Sequence, residues 1–498
     1  MMSTSTSKQH EEPLVTFDSL LSVRTYKLNR PKKLNALNHE MLSLLRPKIE
    51  EWSRSDLCTA IWGWGEGRAF CAGGDVAGVV KAASDPSTRD NATQFFKLEY
   101  DPIPLSFELD YMLAAVPKPY IAIMDGITMG GGVGLSIPAN FRIATENTVF
   151  AMPETKIGYS PDVGASYFLS RLDGEMGTYL ALTGDTLKGR AVFEHGFATH
   201  YIPSRRIPML LESMSGLSNV TDLGLKEGRD ISDHQPHSQD YFERINQLLE
   251  EYASEAESTP KMVSEFVGIR RAAIDWAFRH DKVEKIIEEL RSLSSHNDPS
   301  ISKWASITLD TLNLRSPTSL KVALRAIRAG RTKNLLQALE MELQIAAACC
   351  RGATPDFKTG VEAVLVERIE SRPNWSPATL EEVTDEKVEA FFNGKYLTDA
   401  DKLEIPKGFE SHNILRPDEY ALPTEVEVRQ MVTGEHPSGG NSGLTEDELV
   451  AKFNTLYAGK VGVTEKVLEV ARRRCQLVDN ADGNHVWLRW KHSVEPPR

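Results

Sequence analysis

At 498 residues the chain exceeds what one hydrophobic core ordinarily serves, so two or more structural units are expected. Its 41% hydrophobic and 26% charged residues give the balance of a soluble globular protein, and no apolar run reaches membrane-spanning length. A formal net charge of -13 argues against a protein built mainly to wrap nucleic-acid phosphates, although local cations or backbone N–H groups can still meet an anionic ligand. The five cysteines, Cys58, Cys71, Cys349, Cys350 and Cys475, are odd in number and form no C-x-x-C pair, which speaks against a zinc site or a disulfide framework.

Residues 1–15 have no apolar segment, one lysine, no arginine and two acids, and so resemble neither a secretory signal nor a good mitochondrial presequence. Two short strands are predicted over 14–17 and 22–28. Asn38 is placed to cap an amphipathic helix running to about residue 53, with Met41, Leu44, Leu45, Ile49 and Trp52 along one side. A strand over 59–64 leads into the glycine-punctuated stretch 69–74. Helical sequence ends near Val116, before Pro117 and Pro119, and the apolar strand 120–124 runs straight into Gly126 and then Gly130, Gly131, Gly132 and Gly134. Strands over 141–145 and 149–152 follow. Strand, glycine turn and helix in repetition is an α/β signature.

Beyond Tyr201 the texture becomes helical. Residues 240–295 place Leu248, Leu249, Phe266, Trp276, Ile286 and Leu290 on apolar faces, a second run spans 318–350 after Ser316-Pro317, and another helix is predicted to begin at 360–367. After Pro373 loops dominate, and 436–443 reads as a linker. Thr445 and Glu448 form a capping-box pattern for a helix to about Leu456, and a last helix is predicted over 464–477. The division expected is 14–205, 206–395 and an extension over 396–498.

Three stretches can carry chemistry. Phe70-Cys71-Ala72-Gly73-Gly74-Asp75 and Gly126 to Gly134 each follow a strand; glycine turns there let backbone N–H groups approach a ligand unobstructed by Cβ. A pair of such donors suits the oxyanion of a thioester, and losing one oxyanion donor costs roughly 100- to 1000-fold in rate. Simple tight turns or a phosphate loop are the plainer alternatives, although neither the Walker Gly-Lys-Ser/Thr nor G-x-G-x-x-G occurs here. The third stretch holds Glu154 and Asp162, each after a proline. They read as reactive carboxylates or, on spacing alone, as a surface acid and a Pro-Asp turn. His195 and His200 are expected to be structural or surface residues and Cys71 a small packed one, while Arg472 to Arg474 are expected to form a solvated helix end, with partner or phosphate contact the minor alternative.

In order and spacing these stretches resemble the enoyl-CoA hydratase/isomerase (crotonase) superfamily. Leu28-Asn29-Arg30-Pro31 with Leu34-Asn35-Ala36-Leu37 resembles its opening signature, Phe70 to Asp75 its first oxyanion loop and Gly126 to Gly134 its second. Through 127–135, 150–154, 161–164, 316–320, 360–367 and 373–377 the likeness is to the 3-hydroxyisobutyryl-CoA hydrolase family, and it covers roughly residues 14 to 395. The resemblance implies an α/β fold, a crotonase-like spiral of ββα units with a helical C-terminal region, here followed by a small extra C-terminal module. It implies that the N–H groups of Gly74 and Gly131 form the oxyanion hole, that Glu154 is the catalytic carboxylate and that Asp162 orients substrate or moves a proton. Asp110 falls where related hydrolases carry a substrate-contacting glutamate, the shorter acid implying an altered acyl preference.

Hydratases of the superfamily place a second catalytic glutamate where this chain has Gly134, so hydrolysis is the reaction expected. A hydratase or isomerase is the first rival. The second is a component of the fungal mitochondrial small ribosomal subunit, with the extension as docking element, alone or alongside hydrolase activity. The resemblance implies a mitochondrial location, an acyl-CoA substrate, no membrane, no metal and no cofactor beyond the CoA carried by substrate. It leaves a homo-oligomer open.

Overall fold

Two sheets wound by one continuous spiral of chain frame the molecule. The structure is a computed structural model describing residues 12–76, 102–221, 239–254, 262, 264–398, 401–409, 419–438, 443–479 and 486–497; the stretch through residue 11 and linker residues 439–442 lie outside these. Strands β1 (Val15–Leu20), β2 (Val23–Leu28), β3 (Ala60–Gly65), β5 (Tyr120–Met124), β7 (Phe141–Ala144) and β10 (His200–Tyr201) form a six-stranded sheet in that order. Strands β4 (Ala69–Cys71), β6 (Ile127–Met129), β8 (Val149–Ala151) and β9 (Leu187–Lys188) form a second sheet of four. Each pass of the chain therefore lays one strand in the large sheet and the next in the small one: β3 then β4, β5 then β6, β7 then β8. Except for the antiparallel pairs β1–β2 and β8–β9, neighbours are parallel. All five residues of β5 are buried, as a strand covered on both faces requires.

Helix α1 (His39–Arg54) starts where the sequence places it, Asn38 accepting the Met41 N–H at 3.0 Å. Its buried face is Met41, Leu42, Leu45, Ile49 and Trp52, with Leu42 rather than Leu44 turned fully inward. Helix α2 (Pro102–Ala115) packs against it, and α3 (Gly131–Ser136) follows β6. Short helices α4 (Ala165–Leu169), α5 (Met176–Thr183) and α6 (Arg190–Glu194) complete the spiral. The helical region is α7 (Ile207–Thr221), α8 (Gln239–Ser254), α9 (Gly268–Ala277), α10 (Val283–Leu293), α11 (Pro299–Leu314), α12 (Pro317–Gly330), α13 (Leu335–Cys350) and α14 (Asp356–Val361).

The run predicted over 318–350 is two helices, not one. Gly330 closes α12 against the backbone of Ser166, and Asn334 restarts the chain with a capping box to Gln337. The helix predicted to begin at 360–367 is present but starts earlier, at Asp356: α14 continues into a π-helical turn at Glu362–Val366, with Gly360 pressed on the backbone of Ile157.

After α15 (Asp385–Glu389) come α16 (Glu425–Thr433), α17 (Glu446–Leu456), α18 (Val463–Arg474) and a ribbon of β11 (Cys475–Asp479) with β12 (Val486–Trp490). The helix predicted to residue 477 thus gives way to strand at Cys475, where Gln476-Leu477-Val478 pairs with Trp487-Leu488-Arg489. The capping box Thr445–Glu448 forms as predicted. Val463, Val467, Val470, Leu488 and Trp490 join the same buried cluster as Phe150, Phe193 and Leu339. Among the described residues no helix is long and apolar enough to cross a membrane.

Candidate active site

Strand register brings the three glycine- and acid-bearing stretches to one edge. In the small sheet Cys71 pairs with Thr128 and Met129 with Ala151, all three strands parallel, so the loops leaving β4, β6 and β8 emerge side by side. These loops carry Gly74, Gly131 and Glu154. The first is tied down by the opening motif. Leu37 N–H donates to Gly73 O and Asp75 N–H to Leu37 O, both at 2.8 Å, while Arg30 reaches Asp75 Oδ2 at 2.7 Å. Buried Asn35 accepts from Arg30 N–H and donates to Ala69 O at 2.7 Å. Gly74 remains exposed, and among the described residues no acceptor meets its N–H or that of Gly131, the first residue of α3.

The second loop depends on absent side chains. At Gly130 φ is 47° and ψ is -120°, a conformation that suits only glycine, and a Cβ there would stand 3.0 Å from Glu154 Oε1. At Gly132 a Cβ would meet Cys71 O at 2.1 Å, so α3 can lie on β4 only with glycine there. A Cβ on Gly131 would be 3.7 Å from Gly74 N, which places the two turns against each other with Glu154 beside them.

Glu154 opens a 3-10 turn, Glu154–Ile157, held from outside by α14. Its side chain is buried and Oε2 meets no partner. Burial first, then the charges of Asp162 and Glu342, hold its carboxyl well above the ordinary carboxylate range. Asp162 is half-buried, accepts the Tyr159 hydroxyl at 3.1 Å, and is pushed up to about 7 by burial. Asp110, on α2, points both oxygens at Gly134: a Cβ there would lie 2.8 Å from each. Both oxygens are buried without a partner, and burial, Asp162 and Glu342 raise this carboxyl well above its usual value.

All five residues singled out in the sequence, Gly74, Asp110, Gly131, Glu154 and Asp162, therefore occupy one site. The volume that Gly134 leaves empty is filled by a carboxylate from another helix. His195 bonds Ser264 at 2.6 Å and is buried elsewhere, His200 sits between Thr199, Glu250 and Lys460, and burial raises the Cys71 thiol to about 12. The two histidines lie away from this edge, and Cys71, which ends β4 at the edge, is held protonated there. Sequence reasoning did not single out Tyr159 or Glu342. Glu342 carried a faint signal, being an acid within the Ala/Leu-rich buried run of α13. Among the described residues no group of His, Cys, Asp and Glu is arranged to hold a metal ion.

Two N–H donors aimed beside a proton-holding carboxyl can stabilise an oxyanion while the carboxylate attacks or activates water. Spiral and site together define a class, and the chain belongs to the enoyl-CoA hydratase/isomerase family, whose model matches residues 23–392. It is similar to the 3-hydroxyisobutyryl-CoA hydrolase, mitochondrial, of Gallus gallus, with 41% identity over 73% of this chain and 85% of that protein. To the protein of the same name from Homo sapiens it is 39% identical over 73% of this chain and 84% of that one. The small ribosomal subunit protein mS47 of Neurospora crassa matches at 36% over 96% of this chain and 88% of its own length. Among solved structures, a carnitinyl-CoA dehydratase from Mycobacterium thermoresistibile superposes with a TM-score of 0.63 at 31% identity, covering 80% of this chain and 100% of that one.

Proposed function

We propose that this chain hydrolyses a short β-hydroxyacyl-CoA thioester, 3-hydroxyisobutyryl-CoA first among candidates. The observation that carries the reading is the shared edge of β4, β6 and β8, which sets Gly74 and Gly131 N–H beside Glu154. The thioester oxygen lies between the two N–H groups. Glu154 attacks the carbonyl carbon, or takes a proton from the water that does, and the C–S bond breaks to release CoA thiolate. Asp162, at about 7, still holds a proton near neutrality and can bond the β-hydroxyl or protonate the leaving sulfur. No cofactor enters beyond the CoA of the substrate.

Glu154 acts only deprotonated, and its surroundings retain the proton, so kcat/KM should rise with pH through a limb displaced above about 4.3, the ordinary glutamate value. Loss of the Asp162 proton should lower it again above about 7. The test is release of free CoA thiol from a panel of β-hydroxyacyl thioesters, with Glu154→Gln as control. Loss of enoyl absorbance without thiol release would instead make the chain a hydratase. Single turnover in heavy-oxygen water distinguishes the routes, label in Glu154 marking an anhydride.

A second reading rests on the extent of the matches. Likeness to mS47 runs over 483 residues, whereas likeness to the hydrolases of Gallus gallus and Homo sapiens runs over 370 and 367. The C-terminal module is thus shared with a protein named for the small ribosomal subunit. We propose that it meets protein neighbours there, within mitochondria, the compartment in the hydrolase relatives' names. Cosedimentation of the full chain with mitochondrial small subunits tests this, and a chain found only at the top of the gradient rejects it. The same fractions, assayed for CoA release, tell whether the two roles coexist.

A further inference from the structure

Between Asp162 and α4 the backbone takes an unfavourable path. Val163 has φ 55° and Gly164 φ 87°. A left-handed conformation at a Cβ-branched residue costs about 1–3 kcal/mol and persists only where its surroundings impose it. What imposes it here comes from far along the chain. Glu342, on α13, is 1% exposed. Its Oε2 accepts the Gly164 N–H at 2.6 Å, and its Oε1 accepts the Ser166 N–H at 2.8 Å and the Ser166 hydroxyl at 2.6 Å. Among the described residues no Lys, Arg or His pairs with it, so a buried carboxyl group spends its hydrogen bonds on this one turn.

The turn has two consequences for the site. It sets the starting point of the Asp162 side chain, which accepts from Tyr159. It also presses Val163 on the oxyanion helix, where a Cβ on Gly134 would stand 2.7 Å from Val163 Cβ. We propose that Glu342 is a positioning residue for thioester hydrolysis, holding the left-handed Val163–Gly164 turn so that Asp162 stands beside Glu154. This rests on the hydrolase reading above. A carboxyl group is required because donors reach both of its oxygens, and each oxygen keeps a lone pair to accept with even when the group holds a proton: glutamine supplies one oxygen and turns an NH2, which cannot accept, toward Gly164 N–H or the Ser166 donors, so at least one bond is lost. A displacement of about 1 Å in a reacting group can cost roughly 100-fold in rate.

The test is a double-mutant cycle on CoA release with Glu342→Gln, Asp162→Asn and both together. If Glu342 acts through Asp162, Glu342→Gln lowers kcat roughly 10- to 100-fold with KM nearly unchanged, and costs almost nothing further in the Asp162→Asn background. Equal losses in both backgrounds, or an unchanged kcat, overturn the proposal. Should Glu342→Gln fold poorly, Ser166→Ala removes only the hydroxyl donor, and a kcat drop that likewise vanishes beside Asp162→Asn supports the same conclusion; an additive drop overturns it. If the unsubstituted chain releases no CoA, the hydrolase reading fails by itself. Amide exchange at Gly164 and Ser166 then decides whether Glu342 holds the turn: faster exchange in Glu342→Gln supports it and unchanged protection refutes it.

Discussion

At the candidate active site Asp110, Glu154, Asp162 and Glu342 lie together, and among the described residues no lysine or arginine pairs with any of them. Where the C-terminal module meets the spiral, Asp173, Asp275, Glu425 and Glu469 instead share Arg271, Lys466 and Arg473. Lys466 reaches Asp173 at 2.7 Å, and Arg473 reaches Glu425 and Glu469 at 2.9 Å and Asp275 at 3.3 Å. Burial raises carboxyl pKa values in both places, but the cations reverse the outcome at the seam, where Asp173 and Glu469 are held down to about 2. At the site nothing reverses it, and Glu342 is driven up to about 8 despite its three donors. Burial in both places thus gives opposite protonation, set by which charges share the volume. One region is built to hold, the other to react, at a cost in stability.

That contrast is sharpest for Glu154→Gln. Losing the carboxylate should lower CoA release by roughly 10²- to 10⁴-fold, as expected for a removed general base. The same substitution should stabilise the fold at pH 8, because it deletes a buried acid whose Oε2 has no partner. An active or less stable variant would break the comparison from the site side.

From the seam side the test is Arg473→Ala, which leaves Asp275, Glu425 and Glu469 facing one another without their common cation. Breaking a buried pair in this way costs about 3–5 kcal/mol, measurable by chemical denaturation. A loss below about 1 kcal/mol would mean that the network adds little.

The pH dependence follows with opposite signs. Depressed folded-state pKa values at Asp173 and Glu469 supply stability above the unfolded value of about 4, and that stability is lost as pH falls toward 2. Raised values at Asp162 and Glu342 mean that the folded state keeps protons the unfolded state has shed, so stability declines from about pH 4 to 8. Arg473→Ala should flatten the acid side of the stability curve and Glu154→Gln the alkaline side. Parallel curves for both variants would refute the assignment.

The glycine turns and their acids were legible in sequence because each is a local pattern after a strand, and parallel register then gathers them without further information. Glu342 and the seam were not, because their meaning rests on partners that only the fold brings together, such as Gly164 and Ser166 for Glu342 and Asp173 for Lys466. Arg472 to Arg474 read as a solvated helix end, yet only Arg472 is, at 65% side-chain exposure. Arg474 ion-pairs with Glu425 and lies over the Trp490 ring, and Arg473 is buried. The signal was present: Lys466, Val470 and Arg473 follow i, i+4, i+7, one face of a helix, but charges at two of three positions hide an inward face from a hydrophobicity pattern. The strands β11 and β12 escaped for a related reason. The Arg-rich helix formers before Cys475 carry the helical pattern forward, and only pairing with Trp487–Arg489 ends it.

The smallest effect is expected at Asp110, and it isolates electrostatics from packing. Asparagine matches aspartate in size, so Asp110→Asn leaves the volume beside Gly134 filled while removing the charge. Both oxygens of Asp110 lack partners, and its nearest charged influences are the acids Asp162 and Glu342, so the charged form gains nothing from the fold. At pH 8 the unfolded chain carries this group ionised, while the fold disfavours the charge by burial and by the nearby acids, a penalty the substitution avoids; a gain of about 1 kcal/mol or more is expected. At pH 4 the folded aspartate is already neutral and the unfolded one about half so, and the gain should almost vanish. Denaturation at the two pH values measures both. A variant equally stable to the parent at pH 8 would mean that Asp110 is comfortably ionised, and that a donor or cation reaches it in solution. The same variant assayed for CoA release separates the roles: slower release with greater stability marks a carboxylate retained for substrate, whereas stability gained at full activity marks one whose shape alone is used.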